Sequence, residues 1–227
     1  MIYHIRKTAF TLAEVLITLG IIGIVAALLM PQVINGYKKH QTITQLKSNY
    51  SLFSQAIQSS IKDNGDIVNW NTSDSNLFLQ NYLLPYINTV GEVRGRQYGL
   101  ATNQSRKTSY LFWVPAWKNE DKSPCYFVKN GSYFCYVNAY NRLWITIDIN
   151  GKKNPNVMGV DGFSFMIDPV TNRFIAADYR ALGLNNEDKS ALMEKCGEHD
   201  GTWIGAGCSG IIMIDGWQIT NDYPYFK

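Results

Sequence analysis

Residues 10–30 read FTLAEVLITLGIIGIVAALLM, a run of 21 residues that contains a single charged side chain, Glu14. An α-helix rises about 1.5 Å per residue, so this run would form a helix about 31 Å long, the thickness of a bilayer's hydrocarbon core. A cleaved secretory signal has a shorter apolar core, of about 7–15 residues, followed by a small-x-small cleavage site. Here the apolar run continues to Met30 and ends at Pro31. The stretch therefore predicts a membrane-spanning helix.

Basic residues flank the apolar run on both sides. Arg6 and Lys7 precede it, which favours an N-terminus in the cytoplasm. Lys38 and Lys39 follow it and weaken that preference. We expect a single-pass membrane protein with its N-terminus in the cytoplasm and the rest of the chain outside it.

Glu14 is the exception in the apolar run. A carboxylate inside such a helix costs a few kcal/mol at the centre of a membrane and less near the helix end. In one interpretation, Glu14 lies at headgroup depth and is solvated. In the other, the chain is cut before Phe10, and the new α-amine of Phe10 pairs with Glu14 in the same chain or in a neighbouring copy. The residue pattern leaves both open.

The residues around that cut form a recognisable motif. Residues 7–14 read KTAFTLAE, with a short basic leader before them and an apolar run closed by Pro31 after them. This arrangement resembles the N-terminus of type IV prepilins and type II secretion pseudopilins. It departs from the family pattern at Ala9, where Gly is usual, and at Ala13, where a larger aliphatic residue is common.

The resemblance implies a pathway and a set of partners. A prepilin peptidase in the membrane would cut between Ala9 and Phe10 and N-methylate Phe10, and Glu14 would guide each subunit into a growing filament. The partners would be other copies of the chain, related pilins and assembly platform proteins. The product would be a structural subunit of a type IV pilus or a type II secretion pseudopilus, lying in a cell-surface or periplasmic filament.

Three residues of the apolar run affect its stiffness. Gly20 and Gly23 lower helix propensity by up to about 1 kcal/mol each relative to Ala, and Pro31 removes a backbone donor. Such a helix is suited to bending or local melting during assembly. Small residues also allow helices to pack closely, which is an equally good explanation for the two glycines.

A helical period continues beyond Pro31. Apolar residues recur there at spacings of three and four, which predicts one buried stripe. The stripe comprises Ile43, Leu46, Tyr50, Phe53, Ile57 and Ile61. We predict one helix from Phe10 to Lys62, bent or loosened near Pro31 and Gly36, whose second half lies in the core of a head. The stop signal is DNGD at 63–66.

The remainder predicts a head with short helices and strands. A helix is expected at Leu77–Ile87, a polar loop at Asn88–Lys107, a helix at Asn186–Lys195 and a last strand at Ile211–Ile214. Six runs rich in aromatic and β-branched residues predict strands: SYLFWVPAW, CYFVK, YFCYVNA, LWITIDI, FSFMID and RFIAAD. KNGS at 129–132 offers a hairpin turn.

The expected fold class is therefore α+β and pilin-like, with a long N-terminal helix packed on an antiparallel β-sheet head. The predicted organisation is a leader at 1–9, a helix at 10–62 and a head at 63–227. Within the helix, residues 10–30 form the transmembrane and filament-core part.

Charge is distributed unevenly along the chain. The net charge is +3, and residues 1–62 hold six of the 21 Lys and Arg but one of the 18 acidic residues. The head is thus close to neutral, which argues against a general nucleic-acid binder. A basic cluster could still hold a nucleic-acid backbone, although solvated surface is the more ordinary explanation. It consists of Arg94, Arg96, Arg106 and Lys107, and it supports an alternative role as a minor pilin acting as an adhesin or DNA-uptake receptor.

All four cysteines lie in the head. They are Cys125, Cys135, Cys196 and Cys208, and no C-x-x-C element suggests zinc. A head delivered outside the cytoplasm meets oxidising conditions, so disulfides are expected. Three pairings are open. Local pairing, Cys125 with Cys135 and Cys196 with Cys208, is preferred because the first two flank a predicted hairpin.

The loop at 148–161 is the one candidate for ion binding. Asp148, Asn150 and Asp161 resemble part of a calcium loop, in which several oxygens bind Ca²⁺. The twelfth position of an EF-hand is not acidic here, and Lys152 and Lys153 would oppose a cation. The alternative, a rigid turn formed by Asn, Gly and Pro, is preferred. The loop also resembles one that is common in pseudopilin heads.

The remaining sequence motifs do not indicate nucleotide binding or catalysis. Residues 205–210, GAGCSG, fit G-x-G-x-x-G, but a strand-like run follows where a helix is required, so nucleotide binding is rejected. No G-x-S-x-G elbow exists, and His199 is the only histidine of the head. We therefore expect no enzymatic activity and no cofactor.

Overall fold

The computed structural model describes residues 11–94, 124–139, 142–151, 153, 155, 157–177, 189–197 and 207–226. The chain divides into two compact units, Met1–His40 and Gln41–Lys227. The boundary falls within the first helix. The apolar half of that helix belongs to the first unit, and its second half belongs to the second unit together with the rest of the chain, here called the head unit.

Helix α1 spans Leu12–Asn64 without interruption and includes Pro31. The prediction of one long N-terminal helix is confirmed, with an end two residues beyond the predicted one. Gly65 ends the helix in a left-handed conformation, at φ +76°, and its N–H donates to the carbonyl of Ile61 at 2.8 Å. Glycine takes this conformation without steric cost, which explains the stop.

A six-stranded antiparallel sheet forms the centre of the head unit, with strands in the order of the chain. The strands are β1 Thr89–Arg94, β2 Pro124–Val128, β3 Tyr133–Ala139, β4 Arg142–Asp148, β5 Gly162–Asp168 and β6 Arg173–Ala176. Five of the predicted runs correspond to β2 through β6. The sixth, SYLFWVPAW, lies outside the described residues. The described chain therefore has the α+β layout that the sequence predicts.

The prediction of a polar loop from Asn88 is wrong for its first residues. Thr89–Arg94 forms an edge strand, β1, which pairs with β2 from Thr89 opposite Val128 to Arg94 opposite Pro124, so the partners are far apart in sequence. The segment contains glycine and charged residues, which are uncommon in strands, so its local sequence pattern does not indicate one. A strand at an edge has one partner strand, so pairing at long range decides whether it forms.

The second half of α1 packs on one face of this sheet. Leu46, Phe53 and Ile57 are fully buried, as the predicted stripe requires. The ring of Phe53 lies 4.9 Å from that of Phe134 on β3 and 5.5 Å from that of Phe174 on β6. The stripe is therefore part of the core, and it contacts both an inner strand and an edge strand on that face of the sheet.

A buried amide fixes the helix against the β2–β3 hairpin. Asn49 is 2% exposed. Its Oδ1 accepts from Oγ of Ser132 at 2.7 Å and from Nδ2 of Asn130 at 3.2 Å. Its Nδ2 donates to the Gln45 carbonyl at 2.9 Å. The hairpin turn is the predicted one, with Gly131 at φ +91°.

Helix α2 spans Ser75–Tyr82 ahead of the sheet, and a single 3-10 turn follows it at Leu84–Tyr86. The helix expected at Leu77–Ile87 is therefore confirmed in part.

Two short helices follow the sheet, α3 at Lys189–Gly197 and α4 at Cys208–Ile214. The helix expected at Asn186–Lys195 is confirmed over its described part. The strand expected at Ile211–Ile214 is wrong, because α4 covers those residues. A run of four apolar residues fits a buried strand or a buried helix equally well.

Contacts with α3 explain why α4 is a helix. A Cβ at Gly207 would collide with the backbone of Leu192, and one at Gly210 would lie 3.1 Å from the Leu192 side chain. The disulfide Cys196–Cys208 joins the same two helices. The second disulfide, Cys125–Cys135, joins residues that are paired in register on β2 and β3. Both disulfides follow the local pairing.

The C-terminal segment covers the core beside the Cys196–Cys208 disulfide. The hydroxyl of Tyr223, which is fully buried, donates to the Gly159 carbonyl at 2.8 Å. The hydroxyl of Tyr225 donates to the Cys196 carbonyl at 3.0 Å. A Cβ at Gly159 would lie 2.6 Å from Sγ of Cys208, so this position requires glycine for close packing.

Candidate functional site

The first half of α1 exposes apolar side chains on every side. Large hydrophobic residues from Leu12 to Ile34 are 43–78% exposed, and the most apolar 18-residue window has a mean hydropathy of 2.5 with none of it buried. Among the described residues, α1 is the one helix long and apolar enough to cross a membrane. The chain therefore has a single candidate membrane span in its described part, near the N-terminus.

Glu14 lies in the first turn of this helix and belongs to a capping box. Its Oε2 accepts from the backbone N–H of Thr11 at 2.8 Å and from the Thr11 hydroxyl at 2.8 Å. The N–H of Glu14 in turn donates to Oγ1 of Thr11 at 3.3 Å. In this reciprocal arrangement each side chain satisfies a backbone donor that the helix leaves unpaired. The T-x-x-E spacing at 11–14 is a sequence signal for this cap, and neither of the two interpretations of Glu14 included it.

The capping box limits where the Glu14 carboxylate can lie. It holds the carboxylate at the helix start, with Oε1 accepting no hydrogen bond from the described residues. Negative charge there is also favoured by the helix dipole. Glu14 is exposed, so the carboxylate is accessible to solvent or to a cation. Ala9 and Phe10, the predicted cleavage and methylation positions, lie outside the described residues.

Three glycines and one proline are exposed on the apolar half of α1. In the described part of the chain, nothing lies within 4 Å of a Cβ placed at Gly20, Gly23 or Gly36. Pro31 lies inside α1 and the helix continues through it. Small residues on this surface are therefore available for contacts with another molecule.

In the head, the structure brings together the three residues of the loop at 148–161. Oδ1 of Asp148 accepts from the N–H groups of Asn150 at 2.9 Å and Gly151 at 2.8 Å. Nδ2 of Asn150 donates to Oδ2 of Asp161 at 3.0 Å, and Oδ1 of Asp161 accepts from the Val157 N–H at 2.6 Å. The two aspartates are 0% and 2% exposed. The loop is thus a hydrogen-bonded turn around two buried carboxyl groups.

This turn does not fit calcium. Ca²⁺ takes about six to eight oxygen ligands, whereas the oxygens of these carboxyl groups accept bonds from the loop's own N–H groups. Oδ1 of Asn150 is buried and has no partner among the described residues, but it adds one ligand at most. No group of three His, Cys, Asp or Glu in the described ranges could hold a metal ion.

Burial changes the ionisation of the first aspartate. Desolvation and the nearby charge of Asp161 raise the pKa of Asp148 to about 8, although the backbone N–H bonds oppose the shift. At neutral pH Asp148 therefore retains its proton, and the pair carries less charge than its sequence suggests.

The basic cluster is described only at its edge. Arg94 is the last residue of β1, and Arg96, Arg106 and Lys107 lie outside the described residues. The prediction that this cluster could hold nucleic acid therefore stays a prediction.

The glycine motif at 205–210 needs a different explanation from the one its sequence suggested. Helix α4 begins inside the motif, at Cys208, and continues beyond it. The prediction of a strand there is wrong, so it does not argue against nucleotide binding. The glycines in its described part, Gly207 and Gly210, are buried against Leu192. Their small size serves the packing of α3 on α4.

Comparison with families of known proteins gives a match over most of the chain. Residues 32–226 match a family of unknown function, DUF6613. Curated proteins and solved structures give no match. The matched residues begin after the apolar run at 10–30, so they cover the head unit and not the motif at 7–14.

Proposed function

This chain belongs to DUF6613, a family of unknown function, and we propose that it is a structural filament subunit of the type IV pilin kind, in a pilus or a type II secretion pseudopilus. The first half of α1 would hold the subunit in the inner membrane before assembly. The same surface would pack against other copies and related pilins afterwards. In this role the head is a building block and not an enzyme.

One observation carries the proposal: the first half of α1 is apolar all round and exposed, while the head unit has a complete core of its own. A helix that is apolar on one side packs on its own domain, and one that is apolar on all sides needs lipid or other helices. Exchanging lipid for protein costs little hydrophobic free energy, and small residues such as Gly20 and Gly23 favour close approach.

The position of Glu14 supports the same role. The motif at 7–14 resembles a prepilin cleavage site, and a cut between Ala9 and Phe10 creates an α-amine one residue before Thr11. The capping box holds the Glu14 carboxylate at this end of the helix, and its Oε1 accepts no hydrogen bond from the described residues. The carboxylate is therefore well placed to pair with the α-amine of Phe10, in its own chain or in the next subunit.

The proposed pathway follows from these parts. The N-terminus would lie in the cytoplasm and the head outside it, since Arg6 and Lys7 precede the span. Prepilin peptidase would remove residues 1–9 and methylate Phe10. Assembly platform proteins would then move the subunit from the membrane into the filament.

The first test is the mass of the N-terminal peptide, from the protein in membranes and in a sheared surface fraction. A chain that begins at N-methylated Phe10 in both fractions is expected. An intact Met1 in both would contradict processing, and the chain would then be a simple membrane-anchored domain.

The second test separates the charge of Glu14 from its capping role. Glu14→Gln keeps a side chain that can form a capping box but removes the charge. A charge-assisted bond contributes about 1.5–3 kcal/mol, so the yield of sheared filaments is expected to fall at least about ten-fold. Thr11→Ala is the matched control, because it removes the Thr11 hydroxyl from the cap but keeps both the charge of Glu14 and the backbone N–H that donates to it, and its yield should stay close to wild type.

Cleavage and membrane insertion should be unchanged in both variants, as measured by the same N-terminal mass and by carbonate extraction. Normal filament yield in Glu14→Gln would contradict the pairing role. Loss of filaments in Thr11→Ala together with a normal yield in Glu14→Gln would show that Glu14 acts through the cap alone.

A further inference from the structure

A short basic segment follows the apolar half of α1, and the assembly role does not account for it. It comprises Tyr37, Lys38 and Lys39, and is here called the anchor segment. Tyr37 is 67% exposed, Lys38 is exposed and Lys39 is partly exposed. Glu14 is the only acidic residue between 11 and 62. The helix itself therefore offers these lysines no neighbouring carboxylate.

The spacing along α1 places this segment at the far edge of a bilayer. Lys38 follows Glu14 by 24 residues in one uninterrupted helix. At about 1.5 Å per residue the two charges are about 36 Å apart, slightly more than the hydrocarbon thickness of about 30 Å. With Glu14 in one headgroup layer, the anchor segment lies in the other.

The arrangement around the helix distinguishes lipid from protein as the partner. Successive helical residues point about 100° apart, so Tyr37, Lys38 and Lys39 together cover more than half of the circumference. A protein partner meets one face of a helix, whereas a headgroup layer surrounds it. A tyrosine beside lysines is also typical of membrane interfaces, where the ring lies at headgroup depth.

We propose that the anchor segment binds the phosphate groups of anionic phospholipids on the head side of the membrane and thereby sets the depth of α1. This inference rests on the proposed membrane span. The lysine stems lie along the apolar boundary, and the ammonium groups reach the phosphates. Such contacts hold the subunit in one register until assembly removes it from the lipid.

The test uses the full-length protein in phosphatidylcholine vesicles that contain a trace of spin-labelled lipid. The association of spin-labelled phosphatidylglycerol with the protein is compared with that of spin-labelled phosphatidylcholine. Each lysine near the surface is expected to contribute on the order of a five-fold preference at low salt. The preference should fall toward unity in high salt, because the Debye length shortens.

Two double variants isolate the segment. Lys38→Gln with Lys39→Gln should lose most of the preference for phosphatidylglycerol. Lys47→Gln with Lys62→Gln removes the same charge from exposed positions of the head half of α1. This variant should keep the preference for phosphatidylglycerol. Arg6 and Lys7 are present in every variant, so the difference between variants reports on the anchor segment alone.

The outcomes that overturn the proposal can be told apart. Protein that is inserted, by carbonate extraction, but shows equal preference in both double variants would overturn headgroup binding and leave the span intact. Self-association lost in the Lys38→Gln, Lys39→Gln variant, with no lipid preference in wild type, would assign the lysines to a second copy. Failure to insert would overturn both the span and the anchor.

Discussion

The two halves of α1 belong to one helix and have opposite surroundings. Ile22 in the first half is 62% exposed, whereas Phe53 in the second half is fully buried against the sheet. Both halves form regular helix, so helix formation does not decide burial. The side-chain pattern decides it: the first half is apolar all round, and the second has one apolar stripe with polar residues elsewhere.

The difference shows which half depends on other molecules. In the second half, the apolar side chains pack against the head unit, and the buried amide of Asn49 forms hydrogen bonds within the same unit. The first half has its apolar surface exposed and its one carboxylate engaged at the helix start. Stability should therefore depend on the second half, and association with membrane or filament on the first.

The largest expected effect on the stability of the head comes from truncating a buried side chain of α1, compared with an exposed one on the same helix. Phe53→Ala should lower the free energy of unfolding of the head by about 3–5 kcal/mol, because it leaves a cavity beside Phe134 and Phe174. Ile22→Ala should change it by less than about 0.5 kcal/mol. Urea unfolding in mild detergent, followed by near-UV circular dichroism, measures both. Equal effects would show that the exposed half is packed in the subunit.

The next effect concerns pH and the buried carboxyl group of the head. The pKa of Asp148 is raised to about 8 in the folded chain, while in the unfolded chain the group ionises near pH 4. Between these values the unfolded chain binds fewer protons, so stability should fall as pH rises from about 4 to about 8. The slope due to Asp148 is at most about 1.4 kcal/mol per pH unit.

Asp148→Asn should remove that slope while it keeps an oxygen for the two backbone N–H groups. The measurement is the urea midpoint across this pH range in both proteins. An unchanged slope in the variant would assign the pH dependence to other groups. Glu14, which is exposed at the start of the other half, should not contribute to the unfolding of the head.

A smaller effect compares two polar side chains on the same helix. Asn49→Ala removes the buried bonds to Ser132 and Asn130 and should cost about 1–3 kcal/mol. Thr18, in the first half, is exposed and donates only to the carbonyl of Val15 at 2.9 Å. Thr18→Ala should therefore leave the unfolding of the head unchanged. A comparable loss in both variants would contradict the division of α1 into a structural and an associating half.

The smallest expected effect is local to the helix start. Thr11→Ala removes the hydroxyl that caps the Glu14 N–H, and caps of this kind contribute about 1 kcal/mol. Amide hydrogen exchange in the first turn of α1 should become several-fold faster, while exchange in the head is unchanged. Thr11→Ser retains the hydroxyl and should restore the wild-type rate. No change in Thr11→Ala would mean that the cap does not hold the first turn.

Much of the fold could be predicted because the signals are local. The period of three and four residues predicted which side of α1 is buried, and Gly65 predicted where the helix ends. Alternating β-branched and aromatic runs predicted β2 through β6, and the hairpin explains why Cys125 and Cys135 are paired. Each signal needs only neighbouring residues for its interpretation.

The wrong predictions concern segments whose structure depends on distant partners. Thr89–Arg94 is a strand because β2 is available to pair with it. Ile211–Ile214 is helical because the adjoining residues of α4, Gly207 and Gly210, pack against Leu192. The cap between Thr11 and Glu14 differs from these, since its spacing was visible in the sequence and was overlooked.

By itself, the sequence determined the long helix, its division into an apolar and a striped half, the antiparallel strands and the carboxylate at position 14. These features follow from side-chain periodicity and composition, which act over a few residues. Only the tertiary structure decided that Asp148 and Asp161 are buried together, that β1 is a strand and that α4 is a helix. For β1 and α4 the deciding contacts come from residues distant in sequence, and for the two aspartates burial depends on how their loop packs in the head unit, which no local pattern contains.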